Sequence, residues 1–178
     1  MVKGIDEIRG LEPEVREALA AVRDPEIPPL STADLGIVER VAVTAEAVEV
    51  DLLPTFAGCP ALDVILGDAE DAVRAVAGDR EIRVRFVTAP PWTSDRITRA
   101  GREALRRHGL APPSGAAPVQ VFMQLWPMRD RVSAECPFCG SSDTDIESAF
   151  GPTLCRSTHF CRSCRNPFEA FKPKSAPR

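Results

Sequence analysis

The chain has 178 residues and a mass of 19.3 kDa, a size that suits one full domain and a smaller one. Its residues are 44% hydrophobic and 27% charged, which excludes an intrinsically disordered chain. The chain has 22 basic and 26 acidic side chains, for a net charge of −4. This net charge excludes the strongly basic composition of a general nucleic-acid binder.

Two kinds of targeting segment are missing from the sequence. No apolar run approaches the ~18 residues of a membrane helix. The first residues, MVKGIDEIRG, lack the roughly 7–15-residue apolar core of a secretory signal. We therefore expect a cytoplasmic protein with no membrane span, whose cysteines stay reduced and bind metal or do chemistry.

Hydrophobic spacing predicts one helix and two strands at the start of the chain. Apolar residues at helical spacing predict a helix over 13–22, with Pro13 at its first position. Three prolines then predict an irregular loop over 24–30. Strands are also predicted over 37–43 and 47–53, joined as a hairpin, and the second of them alternates with a period of two.

The same signals continue through the middle of the chain. A loop over 54–60 leads into a strong helical pattern over 60–77. A third strand follows over 81–87, and a helix over 94–108 ends near a glycine that suits its C-terminal cap. The order α-β-β-α-β-α predicts an α/β or α+β domain in which helices flank a sheet of three or more strands.

Composition also predicts how the chain is divided. Small residues and prolines over 111–118 indicate a linker, and a strand is predicted over 119–125. We expect an α/β domain over 1–126, a small cysteine-rich module over 127–172 and a disordered tail over 173–178.

Five of the six cysteines lie between residues 136 and 164. Cys136, Cys139, Cys161 and Cys164 form two C-x2-C pairs separated by 21 residues, a gap slightly longer than the usual ~15–20. Each pair can direct two sulfurs to one ion, and two pairs complete a tetrahedron. The spacing predicts a structural zinc ribbon with no open position for catalysis, and iron in the same four-thiolate site is the main alternative.

Two further side chains in this module are spare potential ligands. Cys155 and His159 lie between the two cysteine pairs. Both residue types can coordinate zinc. The simpler interpretation is that Cys155 is a packed thiol and His159 a surface imidazole.

The sixth cysteine, Cys59, stands alone before Pro60, which suits the first turn of a helix. We therefore expect Cys59 to be the N-cap of that helix, where the helix dipole and free N–H groups favour a thiolate. Such a thiol can attack, exchange or ligate iron. The alternative is that it only caps the helix.

Asp24 and Glu26 flank Pro25 on a stiff loop. Two carboxylates so close together could bind a metal or the cations of a partner. The alternative is a purely local role in ending the helix and in the hydrogen bonds of a turn.

Arginines follow one face of the predicted helix over 94–108, namely Arg99, Arg102 and Arg106, with Arg96 and Arg107 beside them. A nucleic-acid face is one interpretation. It is the weaker one, because the domain is acidic overall and no aromatic residues alternate with the arginines. A solvated face, or a docking face for an acidic partner protein, fits better.

Four segments taken together resemble one family along most of the chain. They are DPEIPPLSTADLGIVERV at 24–41, LPTFAGCPALDV at 53–64, PPWTSDRITRAGREALRRHGLAPP at 90–113 and the cysteine module ending in CRNPFEAFK at 164–172. The chain resembles the PaaD family (also called PaaJ) of the phenylacetyl-CoA epoxidase system in bacterial phenylacetate degradation. Its first 110 residues also resemble the wider iron–sulfur-assembly domain family that contains SufT.

This resemblance implies a small iron–sulfur-assembly domain followed by a zinc ribbon. The motif residues of the family fall here on Asp24, Pro25, Glu26, Asp34, Gly36, Cys59 and Pro60. It implies that Cys59 is the functional thiol, which holds or hands on iron or a cluster. It also implies a supporting role for an epoxidase built from a di-iron subunit and an iron–sulfur flavoprotein reductase. The chain has no Glu-x-x-His helix pairs for a di-iron centre of its own and no flavin or nicotinamide fingerprint.

The resulting hypothesis is an accessory assembly factor in which Cys59, assisted by Asp24 and Glu26, transiently ligates iron or an iron–sulfur cluster destined for the reductase. One cysteine cannot fill the ligand set of a cluster. A homodimer that shares two Cys59 thiolates, a partner subunit or small thiols must therefore supply the rest.

Three alternatives stay open. The first is a stable, non-catalytic component of the epoxidase whose ribbon docks on partner subunits. The second is a thiol oxidoreductase that pairs Cys59 with Cys155. The third is a zinc-ribbon protein that binds nucleic acid, which would require salt-dependent retention on DNA or RNA.

Overall fold

The computed structural model of the chain describes residues 3–113 and 134–174. The predicted strand over 119–125, most of the predicted linker and the tail after residue 174 lie outside the described residues, as does the predicted domain boundary at 126. The fold divides into two compact units. The first comprises the described residues up to 92 together with 96–101, and the second comprises 93–95 and the described residues from 102 onward.

The first unit is a mixed α+β domain, as predicted. Its elements in chain order are α1 (Lys3–Ala21), β1 (Arg23–Asp24), β2 (Ile27–Ser31), α2 (Thr32–Leu35), β3 (Val38–Val43), β4 (Ala47–Leu52), α3 (Leu62–Ala77) and β5 (Glu81–Phe86). The predicted position of Pro13 at a helix start is wrong, because Pro13 lies inside α1. Leu11, Val15 and Leu19 are all buried in the core, and this packing holds the helix together across the hydrogen bond that Pro13 cannot donate.

A three-stranded sheet forms the centre of the first unit. Strand β3 pairs antiparallel with β4, and β4 pairs parallel with β5. A parallel pair needs a crossover connection, and α3 supplies it. The buried core joins helices α1 and α3 to one face of the sheet, through Leu11, Val15, Leu19, Val41, Val48, Val50, Leu52, Ala69, Val73, Ala77 and Val84.

The proline-rich segment after α1 is more regular than predicted. In place of an irregular loop, β1 and β2 form a short antiparallel hairpin. Ile27 and Leu30 are 1% and 0% exposed, so the two prolines between them lie on a strand whose apolar neighbours anchor it in the core. Proline is tolerated there because an edge strand does not need every N–H group.

The opposite face of the three-stranded sheet carries a charge network. Asp51 accepts hydrogen bonds from Arg40 Nε and Arg85 Nε, both at 2.7 Å. The Arg40 guanidinium, then that of Arg85, holds the pKa of the Asp51 carboxyl below its usual range, against the opposing effect of burial. Each charged residue therefore has a partner across the strands.

The predicted helix over 94–108 is divided in two. A 3-10 turn covers Ser94–Arg96, and α4 covers Arg99–Arg107. Thr98 separates them, because its backbone N–H donates to the Asp34 carbonyl at 2.9 Å. Its hydroxyl accepts from the Gly101 N–H at 3.0 Å, which makes it the N-cap of α4.

The second unit is built on a four-stranded sheet. Its strands are β6 (Leu110–Ala111), β7 (Thr144–Ser148), β8 (Arg156–Cys161) and β9 (Pro167–Phe171), in the order β6-β9-β8-β7. Strands β7, β8 and β9 are antiparallel, and β6 adds a parallel edge. Across the whole described region, no helix has both the length and the apolar character needed to cross a bilayer.

Candidate metal centre and functional thiol

The four paired cysteines meet at one end of the second unit. The sulfurs of Cys136, Cys139, Cys161 and Cys164 all lie within 4.8 Å of one another. The Sγ atoms of Cys136 and Cys164 are 3.7 Å apart, and those of Cys139 and Cys161 are 3.6 Å apart. A tetrahedron with Zn–S bonds of ~2.3 Å has edges of ~3.8 Å, whereas a disulfide needs ~2.05 Å. The spacing therefore fits one four-thiolate metal site and no disulfide.

Two similar turns aim these sulfurs at a common point. In each turn the residue after the second cysteine, Gly140 or Arg165, has a positive φ, at 73° and 59°. Its N–H donates at 2.9 Å to the carbonyl of the first cysteine of the pair. Two knuckles of the same shape, one before β7 and one between β8 and β9, therefore face each other.

The cysteine thiols of the two knuckles differ in pKa. Burial raises the pKa of Cys136. At Cys139 the Ser141 N–H favours the thiolate, but the loss of water around the sulfur and the neighbouring thiols outweigh it and raise the pKa to about 12. Burial opposes ionisation of Cys164, but hydrogen bonds from Asn166 and the adjacent thiols lower its pKa to about 6. A divalent ion must therefore displace protons from Cys136 and Cys139 as it binds.

The two spare ligands of the sequence lie outside this cluster. Within the described residues, neither Cys155 nor His159 belongs to the group of ligand atoms that could share an ion. His159 is not the surface imidazole expected above, because it is 3% exposed and its ring stacks on Phe168 with centroids 5.3 Å apart. Its Nε2 lies 2.9 Å from the Ser157 hydroxyl, and burial lowers its pKa. Cys155 is buried, as expected, with its sulfur 3.1 Å from the Thr153 hydroxyl.

Cys59 lies on the loop before α3 and is half-buried. The prediction that it is the N-cap is wrong, because the N-cap of α3 is Ala61. Pro60 and Ala61 form a separate turn, in which the Cys59 carbonyl accepts the Leu62 N–H at 3.3 Å. The Cys59 N–H in turn donates to the Phe56 carbonyl at 3.1 Å. The thiol is thus held on a hydrogen-bonded turn ahead of the helix rather than at its cap.

The carboxylate of Asp24 has a local structural role. Its Oδ1 accepts the N–H groups of Glu26 and Ile27, at 2.8 and 3.1 Å, and so closes the turn between β1 and β2. Glu26 itself is exposed. In the described part of one chain, Asp24, Glu26 and Cys59 do not form a set of three donor atoms close enough to share an ion.

Asp34 and Gly36 build a second turn. The Asp34 carboxylate completes a capping box with Ser31 at the start of α2, and Gly36 ends α2 with φ 63°. The buried Trp92 donates its indole N–H to the Leu35 carbonyl at 2.8 Å. Arg96 donates to the Gly36 carbonyl at 2.7 Å. These two residues fasten the segment after β5 to this turn.

The sequence analysis did not predict the hydrogen bonds that hold Trp92 and Arg96 to the α2 turn. The signal that could have found it was the tryptophan itself, which follows two prolines in an otherwise polar loop. A large aromatic side chain in such a loop is generally buried against another element.

The arginines of the predicted 94–108 helix divide into two groups. Arg96 pairs with Glu39 at 2.6 Å, and Arg102 donates at 2.7 Å to the carbonyls of Pro113 and Ser94. Arg99, Arg106 and Arg107 are exposed. Arg102, on the predicted face, and Arg96, beside it, therefore have packing roles.

Known proteins are similar to each part of the chain by itself and also to most of the chain as a whole. A family model described as the PaaD zinc beta ribbon domain matches residues 126–172, and one described as an iron-sulfur cluster assembly protein matches 12–85. An Escherichia coli protein, named as a putative subunit of 1,2-phenylacetyl-CoA epoxidase, is 36% identical over 159 residues, covering 89% of this chain and 91% of that relative. A protein named "Fe-S protein maturation auxiliary factor", from Porphyromonas gingivalis, is 33% identical over 88 residues, covering 49% of this chain and 83% of that relative.

A solved structure supports the fold of the first unit. The structure titled "Crystal Structure of Domain of Unknown Function DUF59 from Bacillus anthracis" superposes with a TM-score of 0.52 and 27% identity, covering 57% of this chain and 96% of that chain. Cys59 lies within the matched iron–sulfur assembly region, and the four-cysteine cluster lies within the matched ribbon region.

Proposed function

The chain belongs to the PaaD family of the phenylacetyl-CoA epoxidase system, and on that premise we propose that it is an accessory component of a ring-epoxidising monooxygenase system in phenylacetate degradation. It assists the iron–sulfur or metal maturation of its partner subunits, and the iron–sulfur flavoprotein reductase is the favoured acceptor. One observation carries the proposal. The relative named as a putative epoxidase component aligns along 89% of the chain, whereas relatives named as maturation factors align with 47–53% of it.

The ribbon supplies stability in this proposal. Four cysteine sulfurs with spacings near a tetrahedral edge fit a closed zinc site. Zinc bound there would hold the two knuckles together with no redox chemistry, and a closed shell leaves no position for substrate. Among the described residues, the buried cluster that contains two of these cysteines is small and consists of Ala111, Ala134, Cys136, Cys161, Phe168 and Ala170. A bound metal ion would add stability that so small a cluster does not supply.

Cys59 is the cargo ligand in this proposal. As it binds iron or a cluster, the thiol loses its proton to solvent, because the thiolate is the ligating form. The turn formed by the Phe56, Cys59 and Leu62 backbone fixes the position of the sulfur-bearing residue. Cys59 is half-buried, so part of the residue is exposed to solvent.

The remaining ligands of the cargo come from outside the chain. Asp24 accepts hydrogen bonds within its own turn, and among the described residues Cys59 belongs to no group of three potential ligands that could share an ion. A cluster needs about four protein or thiol ligands. A homodimer that pairs two Cys59 thiolates is the simplest arrangement, and a transient complex with the acceptor protein is the other.

Metal analysis of the protein purified without oxygen tests this proposal. We expect one zinc per chain in both wild type and Cys59→Ser, with iron and acid-labile sulfide only in wild type after reconstitution. Cys155→Ser is the matched control, because its thiol is buried and takes no part in the cargo site. Equal iron and sulfide in all three proteins would contradict the assignment of Cys59.

A second function, that of a stable docking component, is favoured by the surface of the ribbon. Four of the five large exposed hydrophobic side chains in the described residues, Phe138, Ile146, Phe150 and Leu154, lie in the second unit. A contiguous patch formed by such side chains would mark a binding surface. If Cys59→Ser leaves epoxidase activity and stoichiometric co-purification unchanged, this function replaces the first.

A further inference from the structure

We propose that the second unit carries a docking groove for an acidic segment of a partner protein that contains an aromatic or large aliphatic anchor residue. The groove has a volume of about 440 Å³ and lies between the end of α4 and strand β9. Its lining includes Arg107, His108, Phe138, Arg156, Phe168 and Glu169. This inference rests on the second function proposed above, docking through the ribbon, and it uses neither Cys59 nor its cargo.

The apolar part of the groove is open to solvent. Phe138 is 57% exposed although it lies in the knuckle between Cys136 and Cys139. Its ring passes so close to Gly109 that a Cβ on that glycine would lie 3.3 Å from the ring. An exposed aromatic ring against a glycine, with the buried Phe168 behind it, forms a slot that a flat or branched apolar side chain can enter.

The charged part of the groove has an excess of positive charge. Arg156 and Glu169 pair at 2.9 Å and neutralise each other. Arg107 is exposed and has no acidic side chain within ion-pair distance among the described residues, and the exposed His108 stands beside it. A carboxylate on the incoming segment would therefore meet Arg107, whose planar guanidinium suits carboxylates.

This chemistry favours a protein segment over a nucleic acid. Binding to a phosphate backbone draws on several cations in a row, whereas the groove offers one uncompensated arginine and contains the Glu169 carboxylate. An aromatic slot beside an arginine is instead the composition of protein–protein anchor sites.

The metal site gives the groove a fixed shape. The two cysteines that flank Phe138 belong to the four-sulfur cluster, so a bound ion holds the Phe138 backbone in place. A preorganised anchor site binds its partner with a smaller entropic cost. The groove therefore needs a metal-loaded ribbon.

Fluorescence anisotropy with the zinc-loaded full chain tests the proposal. The probe is a short labelled peptide, blocked at both ends, in which glutamates surround one central phenylalanine. We expect saturable binding, with the affinity reduced at least about tenfold by Arg107→Glu and by Phe138→Ala. The matched control is Arg106→Glu, one residue away on the same helix end. Arg106 does not line the groove, so we expect this variant to change the affinity by no more than about twofold.

Four results would overturn the proposal. They are no saturable binding to wild type, equal losses in Arg106→Glu and Arg107→Glu, undiminished binding of a peptide with glutamine in place of glutamate, and stronger binding of a single-stranded oligonucleotide of matched charge. Each variant is first checked for one zinc per chain and an unchanged circular dichroism spectrum. All of these measurements use protein without iron, so failure here is distinct from failure of the Cys59 assignment.

Discussion

Replacing Gly101 with alanine is expected to destabilise the first unit, although alanine is the better helix former. Gly101 lies in α4, where its Cβ would stand 2.7 Å from the Asp34 carbonyl oxygen. That oxygen belongs to the backbone and also accepts the Thr98 N–H. It therefore cannot move away from the added methyl group as the end of a flexible side chain would. Overpacking of this kind costs about 1–3 kcal/mol, which exceeds the gain of about 1 kcal/mol in helix propensity.

Gly67 provides the matched control. It also lies inside a helix, α3, but a Cβ there would meet nothing within 4 Å. Gly67→Ala is therefore expected to stabilise the protein by about 0.5–1 kcal/mol. The two substitutions are chemically identical and are predicted to have opposite signs.

Urea unfolding followed by circular dichroism measures both effects on the zinc-loaded protein. We expect the midpoint to fall for Gly101→Ala and to rise for Gly67→Ala, with unchanged slopes. Stabilisation by both substitutions would contradict this prediction, because it would show that the close approach of α4 to the Asp34 turn does not exist in solution.

Three further predictions follow from the fold and the metal site. Gly36→Ala is expected to lower the urea midpoint, because a left-handed alanine costs about 1–2 kcal/mol and its Cβ would lie 2.4 Å from the Arg96 carbonyl oxygen; an unchanged midpoint would contradict this. Asp51→Asn is expected to cost about 1.5–3 kcal/mol at pH 7. The pKa of Asp51 is lowered in the folded protein, so this stabilisation is present above the unfolded pKa of about 3.9. The difference in free energy of unfolding between wild type and Asp51→Asn therefore shrinks as the pH falls below that value. A difference independent of pH would be inconsistent with the ion pairs. Cys139→Ser is expected to lose zinc, measured by elemental analysis, whereas Cys155→Ser keeps it, because only Cys139 belongs to the four-sulfur cluster; retained zinc in Cys139→Ser would argue against that cluster as the site.

Local patterns predicted the parts of the fold whose signal is contained in a few neighbouring residues. Strands β4 and β5 alternate with a period of two, and each of β3, β4 and β5 lies within one residue of its predicted range at both ends. The mixed α+β class follows from the order of these elements. The four-cysteine cluster was predictable because two residues between paired cysteines set the shape of each knuckle without help from the rest of the chain.

Packing between distant residues explains the predictions that failed. Nothing local shows that Leu11, Val15 and Leu19 hold a helix together through Pro13, or that the buried Ile27 and Leu30 turn a proline-rich loop into a strand. Local cues also misplaced Cys59, because the turn at Pro60 ends before the helix begins.

The hydrogen bond between Trp92 and the α2 turn was also not predicted, because it joins residues that are distant in sequence. Trp92 donates to the Leu35 carbonyl across 57 positions of sequence. No pattern of neighbouring residues reports such a contact.

Transfer of iron and sulfide to the apo-reductase tests the maturation role of Cys59. The apo-reductase is mixed without oxygen with reconstituted wild type, Cys59→Ser or Cys155→Ser, and its iron, acid-labile sulfide and visible absorbance are followed over time. We expect wild type and Cys155→Ser to load the reductase at similar rates, and we expect Cys59→Ser not to exceed the rate with free iron and sulfide. Equal loading by all three proteins would contradict a maturation role for the thiol.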